Sequence, residues 1–345
     1  LEAEDAETIA AAGRLGLASV WDLTIVPTAA PQTKPKACNY ALAEARGELV
    51  VIYDAEDEPE PDQLRKAAAA FAASDPRLAC VQARLAFYNA RENWLTRLFA
   101  LEYCLWFDTL LPGLQRLGLP IPLGGTSNIF RKDVLFAVGG WDPFNVTEDA
   151  DLGLRLARRG WRTEVIDSTT FEEANCRLGN WIRQRSRWIK GYAQTWIVHS
   201  RNIGDFARVV GWKGLLTTQL FVGGTVVSAV AAPALRLVVI LGAAGAPIDR
   251  YLPEAMRAAD VWALAAGNLV YAVLAVAAPF RRGWGGLAPA ALLSPVYWLM
   301  TSAAGLKGLL QLATRPHFWE KTTHMISASR DGRATPLQEM SAGAK

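Results

Sequence analysis

The apolar residues of this chain are concentrated in its last third, and this uneven distribution constrains the fold more than any other feature. Nearly continuous apolar blocks cover residues 215–241, 261–280 and 287–312. About 20 such residues suffice to cross a bilayer as a helix, so each block is long enough to span a membrane. Buried helices of a soluble core are the alternative, but the length and clustering of the blocks favour insertion. We therefore predict a soluble domain over residues 1–210, a transmembrane region over 211–314 and a polar tail over 315–345.

The charge and the cysteine and histidine spacings exclude several classes of protein. The net charge is +3 and the basic residues are scattered, unlike the basic stripe of a nucleic-acid-binding protein. The four cysteines stand far apart without a CxxC pair, and the three histidines include no HExxH pair. Neither a zinc site nor a disulfide framework is indicated. Any metal chemistry would therefore use carboxylates.

A first polar cluster directly follows a predicted strand. Residues 48–53 form a continuous apolar run with β-branched side chains, and the acidic sequence Asp-Ala-Glu-Asp occupies positions 54–57. Such a run is typical of a parallel strand that is covered on both faces. In open α/β sheets ligands bind at the carboxyl ends of the strands, and carboxylates there suit Mg²⁺ and a diphosphate. A helix over residues 62–73 and a second strand over 78–87 are predicted to follow.

Small and acidic residues then mark two further segments. Residues 121–130 contain Gly-Gly-Thr-Ser-Asn between apolar runs, a sequence suited to close approach of the backbone to a ligand. Residues 147–159 are predicted to be helical, with Glu148, Asp149 and Asp151 in the first turn, where the helix dipole favours negative charge. Simple capping of the helix is the structural alternative to a functional role.

Two aromatic segments are predicted to be helices near a membrane surface. Residues 93–117 carry rings and leucines around much of the circumference, interrupted by charges, which favours an interfacial helix over a spanning one. A helix of the domain core is the alternative. Residues 180–199 are predicted to form a helix with Arg187 beside a shared face. The residues of that face are Trp181, Gln184, Trp188 and Tyr192. An aromatic stripe with snorkelling arginines is the alternative there.

The clusters, taken in order, resemble the motifs of a known family. Residues 34–39, the DxD-like sequence at 54–57, the TED at 147–149 and the QxxRW at 184–188 are similar to those of membrane-embedded family 2 glycosyltransferases, which include cellulose, hyaluronan and chitin synthases. The resemblance implies an α/β fold of the GT-A, Rossmann-like type, followed by C-terminal transmembrane helices. It also implies inverting transfer of a sugar from a nucleotide-diphosphate sugar, with a UDP-sugar expected, and the use of Mg²⁺ or Mn²⁺.

The same resemblance implies roles for individual residues. Asp149 would be the base that removes the proton of the acceptor hydroxyl, and Glu148 would orient it. A divalent metal would bind Asp54 together with Glu56 or Asp57, because hard oxygen ligands suit it. The implied donor-binding residues are Asp54, Glu56, Lys34, Gln184, Arg185 and Arg187. The implied acceptor-binding residues are Trp188, Gly125, Thr126 and Ser127.

The chain also departs from the family pattern at its beginning. The first strand of the family is absent, so the N-terminal part is expected to be incomplete. The early aspartate that contacts the nucleotide base in the family has at best Glu2, Glu4 or Asp5 as a counterpart. The metal motif reads D-A-E-D, which leaves open whether Glu56 or Asp57 completes it.

The resemblance implies an integral protein of a bacterial inner or plasma membrane, with its catalytic domain in the cytosol. Arg281 and Arg282 should also stay cytosolic by the positive-inside rule. Three crossings would place the tail on the far side, whereas residues 318–322 resemble a cytosolic segment of the family. Either Pro233 or Pro295 could break an apolar block, so the number of spans stays open.

Several functions remain compatible with these patterns. The leading prediction is extension of a polysaccharide or glycan, and transfer of a single sugar to a lipid acceptor is the alternative. A third hypothesis is a non-catalytic nucleotide-sugar-binding subunit that acts with partner subunits of a synthase. The intact TED and QxxRW disfavour it. A transporter fits less well, because no charged residue occupies the centre of the second or third apolar block.

Overall fold

The computed structural model describes residues 1–247, 253–323 and 327. Its helices are α1 Ala6–Arg14, α2 Lys34–Glu44, α3 Gln63–Ala73, α4 Trp94–Leu105, α5 Leu111–Arg116, α6 Lys132–Ala137, α7 Glu148–Arg158, α8 Leu178–Ser200, α9 Ile203–Thr218, α10 Gly224–Ala243, α11 Glu254–Ala277 and α12 Ser294–Thr314. Its strands are β1 Leu49–Ile52, β2 Glu58–Pro59, β3 Leu78–Phe87, β4 Asn128–Arg131 and β5 Arg162–Glu172. The predicted helix over 62–73 and strand over 78–87 are confirmed.

The five strands form one mixed sheet in the order β1-β4-β3-β5-β2. Strand β4 runs antiparallel to both of its neighbours, while β3 and β5 are parallel. It follows that β1, β3 and β5 all point the same way, and their carboxyl ends lie at one edge of the sheet. The loop before β4 meets that edge as well, since β4 begins there. The chain therefore delivers several polar segments to a single edge.

The predicted pairing of the first strand is wrong in one respect. Residues 49–52 do form a strand, but β1 pairs antiparallel with β4 and lies at an edge of the described sheet. Val50 and Ile52 pack on one side of the sheet, and Leu49 and Val51 pack on the other. An edge strand packed on both faces has the same continuous apolar sequence as a parallel central strand, so the pattern could not distinguish them.

Local side chains explain where helices α4 and α7 begin. Asn93 caps α4, since its side chain accepts hydrogen bonds from the backbone of Leu95 and Thr96, and the Thr96 hydroxyl closes a reciprocal capping box. Helix α7 carries acidic residues in its first turn and arginines in its last, as the helix dipole favours. Both helices therefore begin at points that their sequences specify.

Three helical segments of the described residues are long and apolar enough to cross a membrane. They cover Ile203–Ala243, Glu254–Arg282 and Gly285–Thr314. The first is bent at Gly211, which has a left-handed φ of 72°. Their positions match the three apolar blocks of the sequence.

The third of these segments packs along helix α8. The rings of Tyr297 and Trp181 lie 5.0 Å apart, and further along both helices Gly308 approaches the backbone of Ser186 so closely that a Cβ would lie 2.5 Å from its carbonyl oxygen. Helices α8 and α12 therefore run in the same direction. Tyr297 shares a core cluster with residues of β3, α4 and α8.

Helix α12, which the sequence assigns to the transmembrane region, thus packs against elements of the predicted soluble domain. The division at 210/211 and at 314/315 stays a prediction, as does the placement of the helices near 93–117 and 180–199 against lipid headgroups. Most of the predicted polar tail lies outside the described residues.

Candidate active site

A cavity of about 440 Å³ lies at the edge of the sheet where β1, β3 and β5 end. Most of the residues singled out by the sequence line it. They are Lys34, Asp54, Glu56, Gly125, Thr126, Glu148, Asp149, Gln184, Arg185, Arg187 and Trp188. Two predicted site residues, Asp57 and Ser127, are not among the described residues that line the cavity. Segments far apart in sequence thus meet around one space.

Ser127 holds the small-residue loop to the sheet and does not line the cavity. Its side chain is buried and donates a hydrogen bond of 2.7 Å to the hydroxyl of Thr170 in β5. Its backbone N–H donates to the carbonyl of Ile52, and its φ of 58° is left-handed, which is uncommon for a residue with a side chain. The strained turn presents Gly125 and Thr126 to the cavity, so a direct acceptor contact by Ser127 stays a prediction without geometric support.

Lys34 connects three walls of the cavity. Its ammonium group forms an ion pair with Asp54 and donates a hydrogen bond of 2.9 Å to the carbonyl of Gly125. Burial lowers the pKa of Lys34, but the charges of Asp54 and Glu148 outweigh burial and raise it above its usual value. The side chain is therefore a fixed cation beside the carboxylates.

Asp57 supports the acidic loop from behind. One of its carboxylate oxygens accepts a hydrogen bond of 2.8 Å from the backbone N–H of Asp54 and another from the hydroxyl of Thr126. Burial raises the pKa of Asp57 to about 6. Asp54 and Glu56 line the cavity and Asp57 does not, so of the two pairs that the sequence leaves open, Asp54 with Glu56 is the one that could face a ligand there.

Glu148 and Asp149 begin α7 and face the cavity together. Burial is the main reason that the pKa values of both carboxyl groups are raised, and the neighbouring charge of Asp149 adds to the effect on Glu148. Arg187 lies close to both, and burial lowers its own pKa. A Cβ added at Gly125 would lie 3.3 Å from a carboxylate oxygen of Asp149, so glycine keeps the approach to that oxygen open.

Helix α8 presents a polar and aromatic face to the cavity. Gln184, Arg187, Trp188 and Tyr192 line it. Trp181, which shares their predicted face, is fully buried and packs in the core. Of the predicted face, Trp181 therefore packs in the core, whereas Gln184, Trp188 and Tyr192 line the cavity.

Arg185 has protein partners for most of its hydrogen-bond donors. Its guanidinium forms two hydrogen bonds with the carboxylate of Glu102, at 2.7 and 2.6 Å, and donates a third to the hydroxyl of Tyr297. It also lies 4.9 Å from the ring centre of Trp188. The contact with donor phosphate stays a prediction, and these partners suit a residue that positions Trp188.

Replacing Arg185 with methionine is expected to destabilise the protein by about 3 kcal/mol, because it leaves the Glu102 carboxylate without its ion-pair partner. The side chain of Glu102 is one-third exposed, so a value at the low end for buried pairs is expected. Thermal and denaturant unfolding in detergent would measure the change, with Arg183→Met, an exposed arginine on the same helix, as the control. A double variant with Glu102→Leu should regain part of the loss. If the double variant lost the sum of the single losses, the ion pair would not be the cause.

The family assignment rests on the sequence. Residues 49–304 match the sequence model described as Glycosyl transferase family group 2. The chain belongs to this family. The expectation drawn from its motifs is thereby confirmed.

Curated relatives of this family 2 glycosyltransferase act on different acceptors according to their names. A beta-monoglucosyldiacylglycerol synthase of Synechocystis sp. is 30% identical over 184 residues, or 52% of this chain. A probable glucomannan 4-beta-mannosyltransferase of Oryza sativa subsp. japonica is 31% identical over 183 residues, also 52% of this chain. The matched parts cover 37% and 32% of these relatives, so the chain spans only about a third of their lengths.

A solved structure supports the fold. A mannosyltransferase from Pyrobaculum calidifontis, determined in complex with GDP-Man and Mn²⁺, superposes with a TM-score of 0.50 over 89% of this chain and 75% of that one, at 23% identity. The mixed sheet with its helices is therefore the GT-A-like fold that the motifs implied.

A C-terminal strap, residues 315–323, also reaches the cavity of this glycosyltransferase. Lys190 donates a hydrogen bond to the carbonyl of Phe318, and the side chain of Asn180 forms hydrogen bonds with both the N–H and the carbonyl of Thr323. The strap thus runs back along α8. Its cavity-lining residues are Trp319, Lys321 and Thr322. The sequence analysis used this segment only to argue about topology. The aromatic pair Phe318 and Trp319, followed closely by Lys321, was the signal that could have identified it as part of the site.

Sequence reasoning also missed acidic and aromatic residues that line the cavity at or just beyond the ends of α4 and β5. These residues are Glu102, Tyr103, Trp106, Glu172 and Glu173. Glu102 stood out only as a charge that interrupts an aromatic segment, and Glu172 stood out through no motif. Their approach to the site depends on the sheet order, which places the end of β5 beside the end of β3.

The residues present fit a divalent metal that is shared with a substrate. Within the described ranges, no group of three or more His, Cys, Asp or Glu side chains is arranged to hold a metal ion by itself. Asp54 and Glu56 nevertheless offer two carboxylates at the cavity wall. Mg²⁺ is commonly held by one or two carboxylates together with phosphate oxygens, so a pair of this kind is sufficient when a diphosphate is bound.

Proposed function

We propose that this chain transfers a sugar from a nucleotide-diphosphate sugar to a hydroxyl acceptor at a membrane, with inversion at the anomeric carbon. The observation that carries the proposal is the single cavity of about 440 Å³ around which the acidic loop, the start of α7 and the polar face of α8 meet. Each wall supplies one requirement of the reaction. The carboxylates suit a metal diphosphate, Asp149 suits a base, and Trp188 offers a surface for a sugar ring.

The donor diphosphate would lie among the cations of the cavity. Lys34, Arg187 and Lys321 all line it, and guanidinium and ammonium groups are strong partners for phosphate oxygens. Asp54 and Glu56 would hold Mg²⁺ or Mn²⁺, which when bound would neutralise charge on the leaving diphosphate. The fold neighbour was solved with GDP-Man and Mn²⁺, so GDP-sugars belong in the donor panel beside the expected UDP-sugars.

Asp149 would act on the acceptor. A base must accept a proton as the hydroxyl attacks, and a carboxyl whose pKa is raised by burial is better matched to this task than an exposed aspartate. Glu148 and Arg187 would set the charge around it. The backbone N–H of Ala150 donates to Asp149 and fixes one of its oxygens, leaving the other to face Gly125.

The acceptor would approach from the membrane side. Thr225, in the first turn of α10, lines the cavity together with Trp188 and Tyr192, and α10 belongs to the first candidate membrane span. A growing glycan and a lipid acceptor both fit such an entrance, and the names of the relatives include one of each kind. Partner subunits of a synthase remain part of the proposal for the glycan case.

Incorporation of labelled sugar tests the function and separates the two acceptor classes. Membranes that contain the protein would be incubated with UDP- and GDP-sugars labelled in the sugar, with Mg²⁺ or Mn²⁺. Label in the chloroform–methanol extract would indicate a lipid acceptor, and label in material of high molecular mass would indicate a polysaccharide. Label in neither fraction, with donor binding intact, would favour the non-catalytic subunit.

We also propose that α12 does not cross the membrane. It packs along α8, which carries several arginines and a lysine and cannot lie in the hydrocarbon core. At one end of the segment, Arg282 is paired with Asp108 and donates to the carbonyl of Leu85 in β3. At the other end, the strap is bound to α8. Both ends therefore contact the catalytic domain, which supports a topology of two spans with that domain and the strap on the same, cytosolic side.

Cysteine labelling in oriented vesicles is expected to give the same sidedness for Arg14→Cys and Arg315→Cys. Both positions are exposed, one in the catalytic domain and one at the start of the strap. Ala244→Cys, in the connection between the two spans, should label from the opposite side. A background without the four native cysteines provides the control. Labelling of Arg315→Cys from the same side as Ala244→Cys would contradict the two-span topology.

A further inference from the structure

Glu172 is a cavity-lining carboxyl that the proposed chemistry leaves unused. It is the last residue of β5, where its backbone carbonyl accepts a hydrogen bond of 3.1 Å from the N–H of Tyr88. Its side chain lines the cavity and is hydrogen-bonded to Tyr103. Its oxygen Oε1 is buried and, among the described residues, has no hydrogen-bond partner. A buried oxygen without a partner is costly, which is often a sign of a ligand that is absent.

The position of this carboxyl is fixed by its surroundings. Phe87, at the end of β3, is paired with Glu172 in the sheet, and its ring lies 4.2 Å from that of Tyr103. Tyr103 also packs edge-on against Phe99, with ring centres 5.1 Å apart. The hydroxyl that holds Glu172 therefore comes from a ring that is packed on two sides. A ligand group at Oε1 would meet a rigid partner.

The charges around Glu172 favour an uncharged ligand. Burial is the main cause that raises its pKa well above the usual value, and the charges of Asp57, Asp54 and Glu56 add to it. Phosphate would be repelled beside these groups unless a metal intervened. A hydroxyl group would not be repelled, because it can donate to a carboxylate or pair with a neutral carboxyl as both donor and acceptor.

We propose that Glu172 binds hydroxyl groups of the transferred sugar ring of the donor, with Tyr103 positioning its carboxyl. The inference rests on the proposed function, which places the diphosphate against Asp54 and Glu56. The sugar is joined directly to that diphosphate and is its uncharged neighbour. Glu172 lines the same cavity as Asp54 and Glu56, and its neighbour Phe171 pairs in the sheet with Glu58, which directly follows the acidic loop. Glu172 would thereby help to select among donor sugars.

Two binding measurements on the same protein test the role of Glu172. The affinities of the free nucleotide diphosphates, UDP and GDP, and of UDP-glucose and GDP-mannose would be measured with Mn²⁺ by titration calorimetry. The variants would be Glu172→Ala and Glu172→Gln, with Glu164→Gln on the same strand as a matched control outside the cavity lining. Thermal unfolding would show that each variant is folded. If Glu172→Ala does not fold, the conservative Glu172→Gln variant still tests the role.

Glu172→Ala is expected to weaken binding of the preferred nucleotide sugar by about tenfold or more, because it removes the partner of a buried hydroxyl. Binding of the free nucleotide diphosphate should change by less than about twofold. Glu172→Gln should retain more affinity than the alanine variant, since an amide also donates and accepts hydrogen bonds, and should alter the preference between the two sugars. The control should resemble the wild type.

Other outcomes would overturn the inference. Equal losses for nucleotide diphosphate and nucleotide sugar, with weaker Mn²⁺ binding, would make Glu172 a metal ligand. Unchanged donor binding with impaired transfer would assign it to the acceptor. Unchanged binding and transfer would make it structural. Failure of the wild type to turn over any donor would count against the proposed function, whereas the binding comparison decides the role of Glu172 independently.

Discussion

Asp149→Asn is expected to lower turnover by at least about 10²- to 10⁴-fold while leaving donor binding close to that of the wild type. Asparagine keeps the shape of the side chain and can still accept the hydrogen bond from the N–H of Ala150, but it cannot take a proton from an acceptor hydroxyl. Initial rates of nucleotide diphosphate release, compared with the affinity for the same donor, would measure both properties.

The pH dependence of the wild type adds a second readout for the same base. Burial raises the pKa of Asp149, so the group loses its basic form as the pH falls through that raised value. Activity should therefore decline on the acid side at a higher pH than an ordinary aspartate would give. Asp142→Asn, a substitution outside the cavity lining, serves as the control. Full activity of Asp149→Asn would exclude this residue as the base.

Asp54→Asn and Glu56→Gln are each expected to weaken metal-dependent donor binding by at least about 100-fold, because a divalent ion shared with a diphosphate contributes several kcal/mol. Both side chains line the cavity, and each substitution removes one anionic ligand. Titration of Mn²⁺ in the presence of UDP or GDP, followed by electron paramagnetic resonance, would report the loss directly.

Asp57→Asn is the matched comparison within the same loop. Its carboxylate accepts hydrogen bonds from the Asp54 backbone and the Thr126 hydroxyl, and an asparagine oxygen can accept them too. Metal affinity should therefore change by less than about tenfold. If Asp57→Asn weakened Mn²⁺ binding as much as Asp54→Asn, and Glu56→Gln did not, the metal pair would be Asp54 with Asp57.

The sequence predicted those parts of the site in which each motif lies within one short segment of the chain. The acidic loop follows an apolar strand, the TED opens a helix, and the QxxRW lies on one helical face, so each cluster carries its own structural context. Because the carboxyl ends of parallel strands lie at one edge of a sheet, we could also expect the acidic loop, the TED and the QxxRW to lie close together there. The cavity lined by Asp54, Asp149 and Arg187 agrees with this expectation.

The features that the sequence could not supply depend on contacts between distant segments. Whether Asp57 faces the cavity depends on the hydroxyl of Thr126, which is far away along the chain. The partners of Arg185 come from α4 and α12, and the strap follows a segment that composition alone identifies as a membrane span. Hydropathy measures only length and apolarity, so it does not decide whether the third apolar segment crosses a bilayer or, as we propose, stays packed against the soluble part of the chain.

Release of nucleotide diphosphate by the protein in membranes, measured across UDP- and GDP-sugars with Mg²⁺ or Mn²⁺, tests the central claim most directly. We expect metal-dependent release from one preferred donor, abolished by chelation and reduced by at least about 10²-fold in Asp149→Asn. No release from any donor, despite measurable nucleotide binding and with lipid and glycan acceptors supplied, would contradict the claim that this chain is a sugar transferase.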